Sequence, residues 1–396
     1  MRQEMLQFCL LFLWSTLALC ADWEYLINKD VNAISNYAYS AYQIQKQSFA
    51  FCVLDGHLYV KTHAEDGDVF EFETRGAGLR LGMWQAMQRK RSELEAVRVC
   101  GKTSLDDSAR PELAGGPPTF AFNRPVNSTF PEFLVPDWDH WGWFELHIPP
   151  LNAVRRSFAV AAPPPFEQRA SSLYWGGNTQ GLPLREALRR CAEAHPELVH
   201  VHLVHDWKTG MTSPVQHREH DLRHSTRYKY LAYVEGHGWS TSLKRIVAAG
   251  GLTFLPQPPR FEDLTSLSLF YACPNCFAYY NASANGAFLC DSLTAELKAA
   301  EARPPADLAA SAQRSLTALD DWLSPAALDD YFVQLFKAVS KTQSLGNLTA
   351  DRLVADGFVE LNCSFIKKDY FKRLQPQLHW QLLRYFHPHT CIAFDT

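Results

Sequence analysis

Apolar and polar positions alternate between two periods along most of this chain. Residues 49–63, "FAFCVLDGHLYVKTH", carry a strand-like pattern, and residues 68–91, "DVFEFETRGAGLRLGMWQAMQRKR", follow it. There the pattern predicts a strand running into Gly76-Ala77-Gly78 and then an amphipathic helix. Further on, "LREALRRCAEAH" (184–195) is helical, "LVHVHLV" (198–204) alternates as a strand does, and "YKYLAYVEG" (228–236) is a strand. "STSLKRIVAAGG" (240–251) reads as a helix ending in glycines, and "LTFLP" (252–256) as another strand. Strands alternating with helices predict a parallel sheet covered by helices. From about Ala306 to Gln343 the pattern is helical, closing with "DDYFVQLFKAVSKTQ" (329–343). Residues 346–396 are aromatic-rich and give no periodicity to place.

Breakers divide this pattern. "ARPELAGGPPTF" (109–120) is a loop, "AVAAPPPFEQR" (159–169) an interdomain linker, and "EARPPAD" (301–307) a joint between helical stretches. The predicted architecture is α/β, with an N-terminal unit over 22–162 and a C-terminal unit over 166–345. Ligands in doubly wound folds bind in the crevice at the carboxyl ends of the strands. The length of 396 residues agrees with two units rather than one core.

The first 21 residues form a separate class. Arg2 precedes an apolar run from Met5 to Cys20, shorter than a comfortable membrane span and ending in small residues. This is the pattern of a signal peptide, with an uncleaved signal anchor as the alternative. Sequons at Asn127, Asn281, Asn347 and Asn362 fit passage through the secretory pathway. So do the eight cysteines beyond the signal, which read as disulfides. The chain closes on "AFDT", not an ER-retrieval tetrapeptide, so ER, Golgi and secretion all stay open. A net charge of −4 gives no reason to expect nucleic acid as a partner.

Candidate chemistry concentrates in residues 228–257. An apolar strand ends at Glu235-Gly236, and a turn delivers Ser240, Thr241 and Ser242 to a helix start. Free N–H groups and partial positive charge there suit a phosphate or diphosphate. Lys244 and Arg245 add charge, and Gly236 and Gly238 admit close backbone approach. A capped helix without a ligand is the alternative. Asp137-Trp138-Asp139 has the spacing of a metal-holding pair. His217, His220 and His224 have helical metal-ligand spacing, beside Glu219 and Asp221, although a solvated helix gives the same pattern. Cys273 and Cys276, in "CPNC", read as a structural disulfide, with a redox or zinc role as alternatives.

"RYKYLAYVEGHGWSTSLKRIVAAGGLTFL" (227–255) resembles the signature segment of glycosyltransferase family 90. Other stretches fall in that family's order: "PTFAFN" with "FLVPDWDHWGW", then "LYWGGNTQGLPLREALRRC", then "ALDDYFVQLFKAVSK". The resemblance spans about residues 25–345. It implies a GT-B fold, two Rossmann-like domains facing a cleft with C-terminal helices. It also implies inverting, metal-independent transfer of glucose or xylose from a UDP-sugar to a hydroxyl of a protein or polysaccharide. No cofactor beyond the UDP-sugar donor is expected. The donor would lie on Gly236, Ser240, Ser242 and Lys244, with Asn178 and Arg185 close by. The family's general base aligns with Lys102, which cannot accept a proton while protonated. Asp107 and Asp106 are then the first candidates, and Asp137 and Asp139 the reserve. In this family the position of Asp139 is variable, and a metal role for the pair is not implied. The turn Trp175-Gly176-Gly177-Asn178 lacks the family's cation, for which Arg185 is a substitute. A non-catalytic binder of UDP or glycan is the competing reading.

Overall fold

Asp55 and Gly56 both adopt positive φ (53° and 74°), and they join the strands Ser48–Leu54 and His57–Thr62 in a tight antiparallel hairpin. Two left-handed residues match the twist of such a hairpin, which is why an Asp-Gly pair stands there. This is a computed structural model. It describes residues 23–31, 37–38, 48–62, 70–106, 118–128, 132–142, 149–160, 162–179, 181–203, 223–283 and 286–366.

The hairpin belongs to a six-stranded mixed sheet. Its order is Val359–Glu360, His57–Thr62, Ser48–Leu54, Val99–Ser104, Thr119–Ala121 and Glu132–Leu134. The first three pairings are antiparallel and the last two parallel. The second sheet has five strands, all parallel: Ala278–Asn281, Leu252–Gln257, Tyr228–Ala232, Ala170–Gly177 and Val199–Leu203. The expected strand–helix alternation of the C-terminal half is therefore a parallel sheet, and the chain is mixed α/β throughout.

The two sheets are stitched together. Asn123–Pro125, from the first half, pairs antiparallel with Phe261–Asp263 from the second. One apolar core runs from Phe49, Phe51 and Phe120 through Trp138 and Trp239 to Leu231 and Leu255. A second core, with Tyr230, Phe254, Leu188 and Leu293, fills the other face of the parallel sheet. Fully burying an aromatic or branched side chain contributes about 1.5–3 kcal/mol, so this shared core is a strong tie between the halves.

One element differs from expectation for an identifiable reason. Residues 70–89 form one helix, Phe70–Arg89, with no strand before Gly76. Its glycines serve packing instead of a turn. A Cβ on Gly82 would lie inside the Trp141 ring, and one on Gly78 would meet the Trp138 backbone oxygen at 3.1 Å. The helix thus rides directly on the 3-10 turn Trp138–Trp141. The closing helix Pro325–Ser340 crosses back to the first sheet's side. There Asp329 accepts a 2.8 Å bond from Arg89, and Tyr331 donates to the Leu134 carbonyl.

Residues 346–366, unplaced from sequence, continue on the first sheet. Leu348, Leu353 and Phe358 cover the face that carries Ala50, Cys52 and Cys100. Val359–Glu360 adds the outer strand. Cys52 faces Cys100 across the antiparallel ladder as a disulfide pair, and Cys191 pairs with Cys290 between the helices Pro183–Ala194 and Leu289–Glu301. Cys273 pairs with Cys276 within "CPNC". Among the described residues no helix is long and apolar enough to cross a membrane.

Candidate functional site

All five strands of the second sheet run the same way, so their carboxyl ends share one edge. Three of the segments leaving that edge carry polar groups that meet. Asn178 follows Ala170–Gly177, Glu235 and Gly236 follow Tyr228–Ala232, and Arg260 follows Leu252–Gln257. Arg185, in the first turn of Pro183–Ala194, fastens two of them. It donates to the carbonyls of Asn178 at 2.8 Å, Glu235 at 3.1 Å and Val234 at 3.4 Å. Burial pushes this guanidinium down to about 10, so it stays cationic at neutral pH. Its N–H groups nevertheless go to backbone oxygens, which makes Arg185 a clamp on the two loops.

Gly236 sits under that clamp. A Cβ there would stand 3.1 Å from the Trp239 carbonyl and 3.2 Å from an Arg185 nitrogen. A side chain there would press on both, so the site favours glycine. Next to it the carboxylate of Glu235 is 2% exposed and accepts from Arg260 N, Phe261 N and Arg260 Nε at 3.0, 3.2 and 2.9 Å. Arg260 also donates to the Gly236 carbonyl at 2.9 Å, while 48% of its side chain remains exposed. Neither residue was singled out from sequence. The available signal was a Glu-Gly pair ending an apolar strand, since a buried acid there needs a cation.

Ser240 and Ser242 lie on the turn leading to the helix Leu243–Ala248. Their hydroxyls bond each other at 2.9 Å, and Ser240 N donates to the Tyr233 hydroxyl at 3.0 Å. The Ser242 side chain makes no capping bond to the helix. Both serines are half-buried, at the same edge as Gly236.

Lys244 lies at the start of the same helix. Its ammonium, 1% exposed, lies 2.7 and 2.8 Å from the two oxygens of Asp137 and 3.3 Å from Asp139. It also donates to the Thr241 carbonyl at 3.1 Å, which occupies its donors. Arg245 pairs with Asp139 beside it. Lys244, expected on a phosphate, and Asp137, a reserve proton acceptor, are here each other's partners. Burial alone would raise the Asp137 carboxyl, but the Lys244 ammonium and the Trp239 indole N–H, at 3.3 Å, outweigh it and hold the acid ionised. A carboxylate so paired is a weak base. The Asp-x-Asp spacing is explained by the same contacts, because the two acids receive two cations from the opposite sheet. Asp137 additionally caps its own turn by accepting from Asp139 N.

On the first sheet, Asp106 follows Val99–Ser104 and is half-buried. That strand and Glu132–Leu134 run parallel through Thr119–Ala121, so Asp106 and Asp137 leave the same end of the sheet. Asp107 lies outside the described residues. Lys102, two residues before the strand's end, is 5% exposed, and burial lowers its amine. Arg75 arches over the Trp138 ring at 4.3 Å and donates to the Leu105 carbonyl at 3.3 Å, steadying the start of the Asp106 loop.

His224 stands before the first residue of the strand Tyr228–Ala232, away from this edge. It bonds the Tyr228 hydroxyl at 3.1 Å and packs on its ring, while His217 and His220 lie outside the described residues. Among the described residues no three His, Cys, Asp or Glu side chains are grouped to hold a metal ion.

Comparison with known families gives one match. Residues 15–352 match the family model described as glycosyl transferase family 90. No curated protein matches the chain.

Proposed function

The chain belongs to glycosyltransferase family 90, and on that premise we propose that it transfers glucose or xylose from a UDP-sugar to a hydroxyl of a protein or polysaccharide. In this reading the two sheets are the halves of a GT-B arrangement. The uridine diphosphate lies along the edge formed by Asn178, Gly236, Ser240 and Ser242. Arg260 is the cation that faces it, and Arg185 holds the two loops in register. The acceptor hydroxyl gives its proton to a carboxylate of the Asp106-Asp107 loop as its oxygen bonds the anomeric carbon. UDP then leaves from the opposite face with the electron pair of the broken C–O bond. Arg260 and the backbone N–H groups offset the charge on the leaving diphosphate, so no metal is assigned to the step.

The observation that carries this reading is the convergence of Asn178, Gly236 and Arg260 at one sheet edge in a chain of this family. Disulfide pairs and four exposed sequon asparagines support residence in the ER, the Golgi or outside the cell. A second reading has its own observation. Lys244, Arg245 and Arg185 are all committed to protein partners, and the sequence resemblance sets Lys102 at the position of the family's base. These favour a non-catalytic member that binds UDP or glycan without turnover. Release of UDP from UDP-glucose or UDP-xylose in the presence of EDTA separates the two.

A further inference from the structure

Cys363, just past the outer strand Val359–Glu360, is disulfide-bonded, and its partner is not among the described residues. Three other pairs are in place, Cys52–Cys100, Cys191–Cys290 and Cys273–Cys276. The sequence then leaves Cys391, together with Cys9 and Cys20 in the apolar run near its start. Those two belong to the segment that reads as a signal peptide. That segment leads into Trp23, which packs on Tyr331 beside Leu134 of the opposite edge strand. Strands lie about 4.8 Å apart, so about 24 Å separates the two edges of this sheet. Cys391 is the better placed partner, 28 residues beyond Cys363.

A Cys363–Cys391 bond returns the chain to an acidic corner. Val53 pairs with Val99, whereas Ser48 pairs with Ser104, so the Asp55–Gly56 turn stands at the end of the first sheet opposite Asp106. Against this turn is a groove of about 350 Å³, lined in part by His57, Arg91, Glu360 and Cys363. His57 lies 2.7 Å from Glu360 and 2.7 Å from Arg91. Asp55 and Glu95 are exposed at the turn. Burial raises the Tyr59 hydroxyl, and the charges of Glu360, Asp55 and Asp351 add to that rise. The cations beside them, Arg91 and Lys61, already bond His57 and the Asp356 carbonyl. Val354 and Val359 are 59% and 50% exposed, and Val359–Glu360 is an edge strand, which proteins ordinarily cover. Residues 367–390 have the complementary composition: the cations Lys367, Lys368, Lys372, Arg373 and Arg384, one acid, Asp369, and aromatics including Tyr370 and Phe371.

We propose that Cys363 is bonded to Cys391, and that the basic segment between them seats on the corner formed by Asp55, Glu95 and Glu360. In forming the bond each thiol gives up a proton and the two sulfurs join. The two electrons and two protons convert the disulfide of a lumenal oxidant to a pair of thiols. The seated segment covers the edge of Val359–Glu360 and the exposed valines. This inference is independent of the reaction proposed above and needs only an oxidising compartment.

The test uses the full-length protein from secreting cells. Peptide mapping without reduction first reads the partner of Cys363. A linked peptide containing Cys391 is expected; a free Cys391 thiol, or Cys363 joined to another residue, overturns the proposal. Hydrogen exchange then reads the seat, comparing wild type with the double variant Cys363→Ser, Cys391→Ser. Exchange at residues 56–58 and 359–361 should become about tenfold faster, the effect of about 1.4 kcal/mol less protection, with the parallel sheet unchanged. Unchanged exchange at that corner overturns the seat. If exchange rises throughout, the fold has loosened, and Lys367→Glu with Lys368→Glu, which keeps both cysteines, decides in its place. Faster exchange confined to the corner in that variant supports the seat, and any other result overturns it.

Discussion

Lys244 Nζ lies 2.7 and 2.8 Å from the two carboxylate oxygens of Asp137, and both side chains are buried. The lysine comes from a helix on the parallel sheet and the aspartate from the turn that ends the mixed sheet, so one ion pair joins the two halves. Removing one partner strands a charge in the interior. Lys244→Ala and Asp137→Asn should therefore each cost about 3–5 kcal/mol in urea unfolding. The double variant should cost much less than the sum, since neither charge is then left alone. Strictly additive losses would show that the pair does not couple the sheets.

Close helix packing gives a second expectation. Gly82→Ala drives a methyl group into the Trp141 ring, and overpacking of this kind costs about 1–3 kcal/mol. Gly346→Ala meets open space and carries only its positive φ of 54°, a penalty of about 1 kcal/mol. Equal thermal shifts for the two variants would remove the packing argument.

His140 sets an acid limb. Burial, with the neighbouring Lys244 charge adding to it, lowers this imidazole from 6.5 to about 3. The unfolded chain then binds a proton that the folded one refuses, and stability is full above the unfolded value and falls as the pH drops below it. Between about pH 6.5 and about pH 4.5 this group removes roughly 2–3 kcal/mol. Asp263 opposes it, because burial raises that carboxyl to about 6 and its contribution is lost as the pH rises toward that value. The clean readout is the difference between wild type and His140→Gln, which should shrink steadily on acidification. A difference independent of pH would mean that His140 is charged in the fold.

The fold was legible wherever one period dominated. "YKYLAYVEG" and "LTFLP" could only be buried strands, and both are central in the parallel sheet. Residues 70–76 misled because Phe70 and Phe72 alternate with acids as a strand would, while the helix is imposed by glycines facing Trp138 and Trp141 from 60 residues away. The site was half legible for a similar reason. The pattern of residues singles out Gly236 and the family resemblance implies Asn178 and Arg185, and the structure brings the three together. Sequence pattern cannot reveal that Lys244 faces Asp137 across the sheets, nor that Glu235 finds Arg260. Both are long-range charge pairs, and local pattern carries no trace of a partner's position.

Arg260 and Glu235 make opposite predictions if the edge binds a diphosphate. Arg260→Gln removes a charged donor and should weaken UDP binding by about ten- to a hundredfold in calorimetry, the worth of a hydrogen bond to a charged group. Glu235→Gln removes a neighbouring anion and should leave affinity equal or higher. Equal losses from both would make the pair a scaffold only.

Donor turnover tests the central claim most directly. The full-length protein is incubated with UDP-glucose and UDP-xylose in excess EDTA, and UDP release is followed over hours. The account predicts release from one donor that survives EDTA and falls with Arg260→Gln. No release from any donor, despite calorimetric UDP binding, would contradict it in favour of a non-catalytic member. Release that stops in EDTA and returns with a divalent ion would contradict the metal-free step.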